Sequence, residues 1–201
     1  MVKFWIKSSQ KHNDNFMLEE FIVFAKKPIY EKDVSSSASD KLRLFIKLLV
    51  LALGLSILLL IIASVIQNIF NIEVGKHAFD DLFNNNSEIK IFVLAVLVAP
   101  FLEELIFRGP LVFFKNSKYF STVLYIFTIA FGLVHISNFE LTTQVLLLSP
   151  FLVAPQISVG FILGYIRIKF GLIWSMGLHA CYNMVLIIPL LLLKLLDIPI
   201  E

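Results

Sequence analysis

With a single cysteine, Cys181, the chain has no intramolecular disulfide framework to stabilise it. Charge is also scarce. Asp, Glu, Lys and Arg make up 16% of 201 residues, against about a quarter in a soluble globular domain. The net charge of +2 is too small for a nucleic-acid-binding surface, and the lysines flank apolar segments instead of forming a patch. No nucleic-acid partner is expected. There is no internal repeat, which argues against a transporter built from inverted halves. The first 40 residues mix charges and hold no uninterrupted apolar core, so no cleavable signal peptide is read there. What the chain has in excess is apolar side chains, 58% of the total. A water-soluble domain of this size has too much surface to hide them. The lipid bilayer is their natural solvent.

A spanning helix needs about 20 mainly apolar residues, and five segments qualify. Residues 44–66 contain no acid. Residues 89–114 carry Pro100, Glu103, Glu104 and Arg108 inside an apolar run, and residues 119–138 follow. Residues 144–166 contain Pro150 and Pro155, which predict a kink or break because proline cannot donate the intrahelical hydrogen bond. Residues 172–195 complete the set. The expected fold is an all-α, polytopic transmembrane bundle of about five spans with one kinked or broken helix. Residues 1–41 form a segment of their own, with a short apolar stretch at 17–25 that reads as an interfacial helix and a Ser-rich linker at 35–39.

Loop charge sets the expected orientation. Lys and Arg concentrate before the first span, between the second and third (Lys115, Lys118) and between the fourth and fifth (Arg167, Lys169). The alternate connections are richer in acids, with Glu73, Asp80, Asp81, Glu88 and Glu140. The positive-inside rule then places the N-terminus in the cytoplasm and the C-terminus outside. Abundant Phe, Ile, Lys and Asn point to an AT-rich bacterial genome, and so to the plasma membrane.

Ionisable residues inside apolar segments are costly and mark function by default. Glu104 and Arg108 are four apart with the acid first, the favourable order for a helical ion pair. Their pairing leaves Glu103, about 100° round the helix, free to serve as a general base. Phe131 and His135 share a helix face by the same spacing, as do His179 and Asn183. Cys181 points away from the second pair and reads as a small hydrophobe. His12 and His77 lie in polar surroundings and carry no signal.

Together these residues resemble a known family. Glu103-Glu104-x-x-x-Arg108, Phe131-x-x-x-His135 and His179-x-x-x-Asn183 are similar to the three motifs of the CPBP family, which comprises type II CAAX prenyl endopeptidases and bacteriocin-processing or Abi proteins. The resemblance covers residues 100–183 and makes 42–201 a transmembrane protease-like domain. It implies an intramembrane endopeptidase acting on a peptide or protein substrate at the bilayer. Glu103 and His135 would activate a water, His179 and Asn183 would hold the developing oxyanion, and Glu104, Arg108 and Phe131 would support them. No cofactor is favoured. The alternative is a zinc site of Glu103, His135 and His179 with one open position, although the chain lacks the His-Glu-x-x-His helix. A further alternative is a non-catalytic membrane immunity or scaffold protein. Pro110 departs from the family pattern and should end the helix just past Arg108. Oligomeric state is left open.

The orientation is directly testable. Single cysteines placed near Lys115 and Lys169, in a Cys181→Ser background, should label only from the cytoplasmic side. Cytoplasmic labelling near Asp80 would reverse the topology.

Overall fold

The computed structural model describes residues 14–72, 74–75 and 78–198. His12 and His77, the loop charges Glu73 and Lys76, and the first part of the N-terminal segment lie outside the described residues. Elsewhere the expected all-α bundle is present, with no β-strand among the described residues.

The chain opens with α1 (Asp14–Lys26), followed by α2 (Ala38–Phe70). The latter begins earlier than expected because Ser37 caps it, its hydroxyl accepting from the Asp40 amide. The end of the Ser-rich linker is thus the first turn of a helix. A short amphipathic α3 (Ala78–Asn85) precedes α4 (Glu88–Phe92), a π-helical stretch (Val93–Val98), α5 (Ala99–Phe107) and a 3₁₀ turn (Gly109–Phe114). Then come α6 (Phe120–Val134) with a 3₁₀ extension (His135–Asn138), α7 (Thr143–Leu152), α8 (Ala154–Phe170) and α9 (Leu172–Leu195).

Four helical stretches are long and apolar enough to cross a bilayer: Ala38–Phe70, Phe120–Asn138, Thr143–Phe170 and Leu172–Leu195. The expected span at 89–114 is not among them. It is helical almost throughout but changes register three times, and it carries the ionisable cluster. The break expected in the fourth segment falls at Val153, between α7 and α8, where Pro155 sits in the first turn of the new helix.

The helix α8 is the axis of the bundle. Residues 162–168 are buried on every face, while α2 buries only the stripe Leu48, Ala52, Ser56 and Ala63. Small residues on that stripe permit close approach, and α2 packs on α8 and α9. The other close contact is with α6. A Cβ built on Gly132 would lie 2.3 Å from Ile157 Cγ1, so α6 and α8 touch at a point only glycine allows. At the far end of the bundle α1 docks through Phe21 and Phe24, whose rings lie 5.6 and 5.0 Å from that of Tyr165. Tyr125 donates to the Ala25 carbonyl at 2.9 Å and Glu20 pairs with Lys169.

This crossing carries His135 at the end of α6. Gly132→Ala should therefore lower detergent-solubilised stability by about 1–3 kcal/mol, the usual range for overpacking. A second change, Ile157→Ala, should recover part of the loss. An unaltered melting temperature for Gly132→Ala would contradict the packing described.

Candidate active site

Glu104 is fully buried, with its side chain 0% exposed, and Arg108 beside it is 2% exposed. Arg108 Nη1 lies 3.3 Å from Glu104 Oε1, the expected i, i+4 ion pair. Pro110 ends the α-helix at Phe107, which makes Arg108 its C-cap. From there Arg108 Nη2 donates to the Gly160 carbonyl at 3.2 Å, and its guanidinium lies 4.0 Å from the Phe131 ring centre. Any side chain at residue 160 would press on Arg108 Nη2 at 3.2 Å. Arg167, the one other buried arginine among the described residues, donates from Nε to the Arg108 carbonyl at 3.1 Å and so satisfies the end of α5.

The same carboxylate holds two groups from α9. His179 Nδ1 lies 3.1 Å from Glu104 Oε1, and the Ser175 hydroxyl lies against Oε2. Ser175 Oγ is also 3.0 Å from the Leu163 carbonyl, which ties α8 to the cluster. Glu104 is therefore more than the partner of Arg108. It accepts from His179 Nδ1 and so aims Nε2 outward, where it faces Glu103 Oε2 at 3.7 Å. That contact gives Glu103, left over by the Glu104–Arg108 pair, a neighbour on α9. Glu103 is 27% exposed, in contrast to its buried neighbour.

His135 Nδ1 lies 2.8 Å from the Phe131 carbonyl. A carbonyl only accepts, so Nδ1 carries the proton and the neutral ring keeps its lone pair on Nε2. Phe131 packs edge-on against both histidines, at 5.0 Å from His135 and 5.7 Å from His179.

Asn183 is positioned by an irregularity in the second segment. In the π register the Ala99 amide donates to the Leu94 carbonyl. The Ala95 carbonyl would then pair with residue 100, but Pro100 has no N–H to give. That orphaned carbonyl instead accepts from Asn183 Nδ2 at 2.8 Å. Pro100 thus fixes the rotamer of a side chain on another helix.

Glu103, His135, His179 and Asn183 all line one cavity of about 590 Å³. Cys181 is not among its lining residues. Sequence reasoning missed Ser175, Gly160 and Pro100 as parts of the cluster. Only Ser175 had a signal: it precedes His179 by four and shares its face. Among the described residues no three His, Cys, Asp or Glu side chains are grouped to hold a metal ion.

A helical membrane bundle thus gathers carboxylate, imidazole and carboxamide groups on one cavity. The model of the type II CAAX prenyl endopeptidase Rce1-like family matches residues 85–185, half of the chain, and the chain belongs to this family. No curated protein and no solved structure matches it.

The double role of Glu104 makes a distinct prediction. Glu104→Gln leaves Arg108 as an unpaired buried charge and should cost about 3–5 kcal/mol. Combining it with Arg108→Met should restore much of the melting temperature. The double variant should stay impaired in turnover, because an amide has no charge and one acceptor oxygen where the carboxylate uses one for His179 and one for Ser175. A folded, fully active double variant would contradict that role.

Proposed function

We propose that the chain is an intramembrane endopeptidase that hydrolyses a peptide bond of a membrane-associated or leader-type peptide. The observation that supports this most is the convergence of Glu103, His135, His179 and Asn183 on one cavity inside an apolar bundle. A water between Glu103 and the lone pair of His135 Nε2 gives its proton to the Glu103 carboxylate as its oxygen attacks the scissile carbonyl carbon. The carbonyl oxygen becomes an oxyanion, which His179 Nε2 and Asn183 Nδ2 face as donors. Glu103 then returns the proton to the nitrogen, the C–N bond breaks, and an acid and an amine leave. His179 can donate from Nε2 while Nδ1–H serves Glu104 when it carries both protons.

The reading is metal-free, since each step uses a group already in the cavity. The family description refers to prenylated substrates. A bacterial host generally lacks prenylated CAAX partners, which makes a leader-type or membrane-tethered peptide the better candidate.

Glu103→Gln keeps shape and volume but removes the proton acceptor. It should lower kcat by about 10²–10⁴ on a membrane-anchored reporter while leaving the melting temperature near that of the parent. A chelator should leave turnover of the purified protein unchanged. Chelator-sensitive turnover restored by zinc would favour the metalloprotease instead. Failure of the parent to cleave any membrane-anchored reporter would leave the non-catalytic scaffold as the better account.

A further inference from the structure

Three further polar side chains line the cavity: Asn138, Gln156 and Tyr182. Tyr182 is already used, its hydroxyl donating to Ser56 Oγ on α2 at 2.8 Å. Gln156 is not. It occupies the third position of α8, just after Pro155, where a glutamine commonly reaches back to the N-cap amide. That amide, on Val153, already donates to the Ser149 carbonyl at 3.0 Å. Gln156 Oε1 is buried and meets no donor among the described residues. A buried acceptor without a donor is costly, so its presence calls for an explanation.

The fold supplies one. A peptide bond is attacked when the substrate main chain is unwound, and its N–H and C=O groups then leave water without partners of their own. Proteins usually meet this need with a strand edge that pairs with the extended peptide. No strand exists among the described residues, and a side chain with both a donor and an acceptor can supply the pairing instead. A carboxamide carries the amide's own donor and acceptor. Rotation about its last torsion exchanges the two ends, so one residue can serve either a main-chain N–H or a C=O.

We propose that Gln156 is a substrate-binding residue that pairs with the peptide main chain beside the scissile bond. It takes the place of a strand edge in an all-helical site. The assignment rests on the endopeptidase reading above but concerns binding and not chemistry. It predicts recognition of the backbone, and hence tolerance of varied side chains at the paired substrate position.

The test uses the full chain in nanodiscs and a membrane-anchored reporter peptide with a fluorophore and quencher flanking its juxtamembrane segment. A companion set replaces one main-chain N–H at a time with an ester oxygen, which deletes the donor and leaves the side chains unchanged. Binding is measured in the Glu103→Gln background, where nothing is cut, and turnover in the parent. Gln156→Met keeps length but loses both hydrogen-bonding groups. It should weaken reporter binding about three- to tenfold, the usual effect of one lost hydrogen bond, and raise KM correspondingly. Both kcat and melting temperature should be unchanged. One ester position should weaken binding by a similar factor with Gln156 present and have no effect with Met in its place. An ester profile that is the same in both backgrounds overturns the assignment, as does a loss confined to kcat or melting temperature. A protein that neither binds nor cuts any reporter overturns the endopeptidase reading and this subsite together. Cleavage with a profile indifferent to residue 156 overturns the subsite alone.

Discussion

The arrangement of this protein depends on a buried ion pair. Glu104 and Arg108 sit at 0% and 2% exposure inside a largely apolar bundle. Taking two such charges out of water costs several kcal/mol per ion, which their mutual attraction offsets only if their remaining valences are filled. The chain supplies partners from three other helices. Gly160 of α8 accepts from Arg108, Phe131 of α6 lies under its guanidinium, and Ser175 and His179 of α9 meet the carboxylate. Each demand of the pair pulls a particular helix to a particular depth. In a membrane, where lipid tails are as apolar as leucine and burial gives little driving force between helices, such polar contacts fix which faces meet.

Close approach makes that geometry attainable. Arg108 reaches a backbone carbonyl of α8 only because residue 160 has no side chain, and α6 crosses α8 at Gly132 for the same reason. The second segment contributes differently. Its π register and Pro100 together deprive the Ala95 carbonyl of an intrahelical partner, and Asn183 fills the gap. A local defect in one helix thus becomes a tertiary constraint on another, a familiar use of π-helical turns near functional sites.

The spans were legible because a run of some 20 apolar residues has few other uses. The pair Glu104–Arg108 was legible from its spacing, and the break near Pro150 and Pro155 from backbone chemistry. What failed to show was whatever depends on a second helix. Pro100 was visible as an embedded proline, but its effect lies in which carbonyl it frees, and that follows only once residues 93–98 adopt the π register. The expected second crossing helix is subdivided by that change of register. Ser175 could have been found by extending the His179–Asn183 spacing one turn back. Gly160 could not, since nothing local separates it from Gly164 on the same helix.

The adjacency of the two acids carries the last consequence. One residue along a helix is a rotation of about 100°, enough to put Glu104 wholly inside and leave Glu103 on the cavity wall. The same turn of α5 therefore holds the group that anchors the bundle and a group on the wall of the cavity it encloses. They are coupled through His179, whose two ring nitrogens face one acid each. A change at either carboxylate alters the environment of that ring, so single substitutions in this cluster report on a unit and their effects will not add.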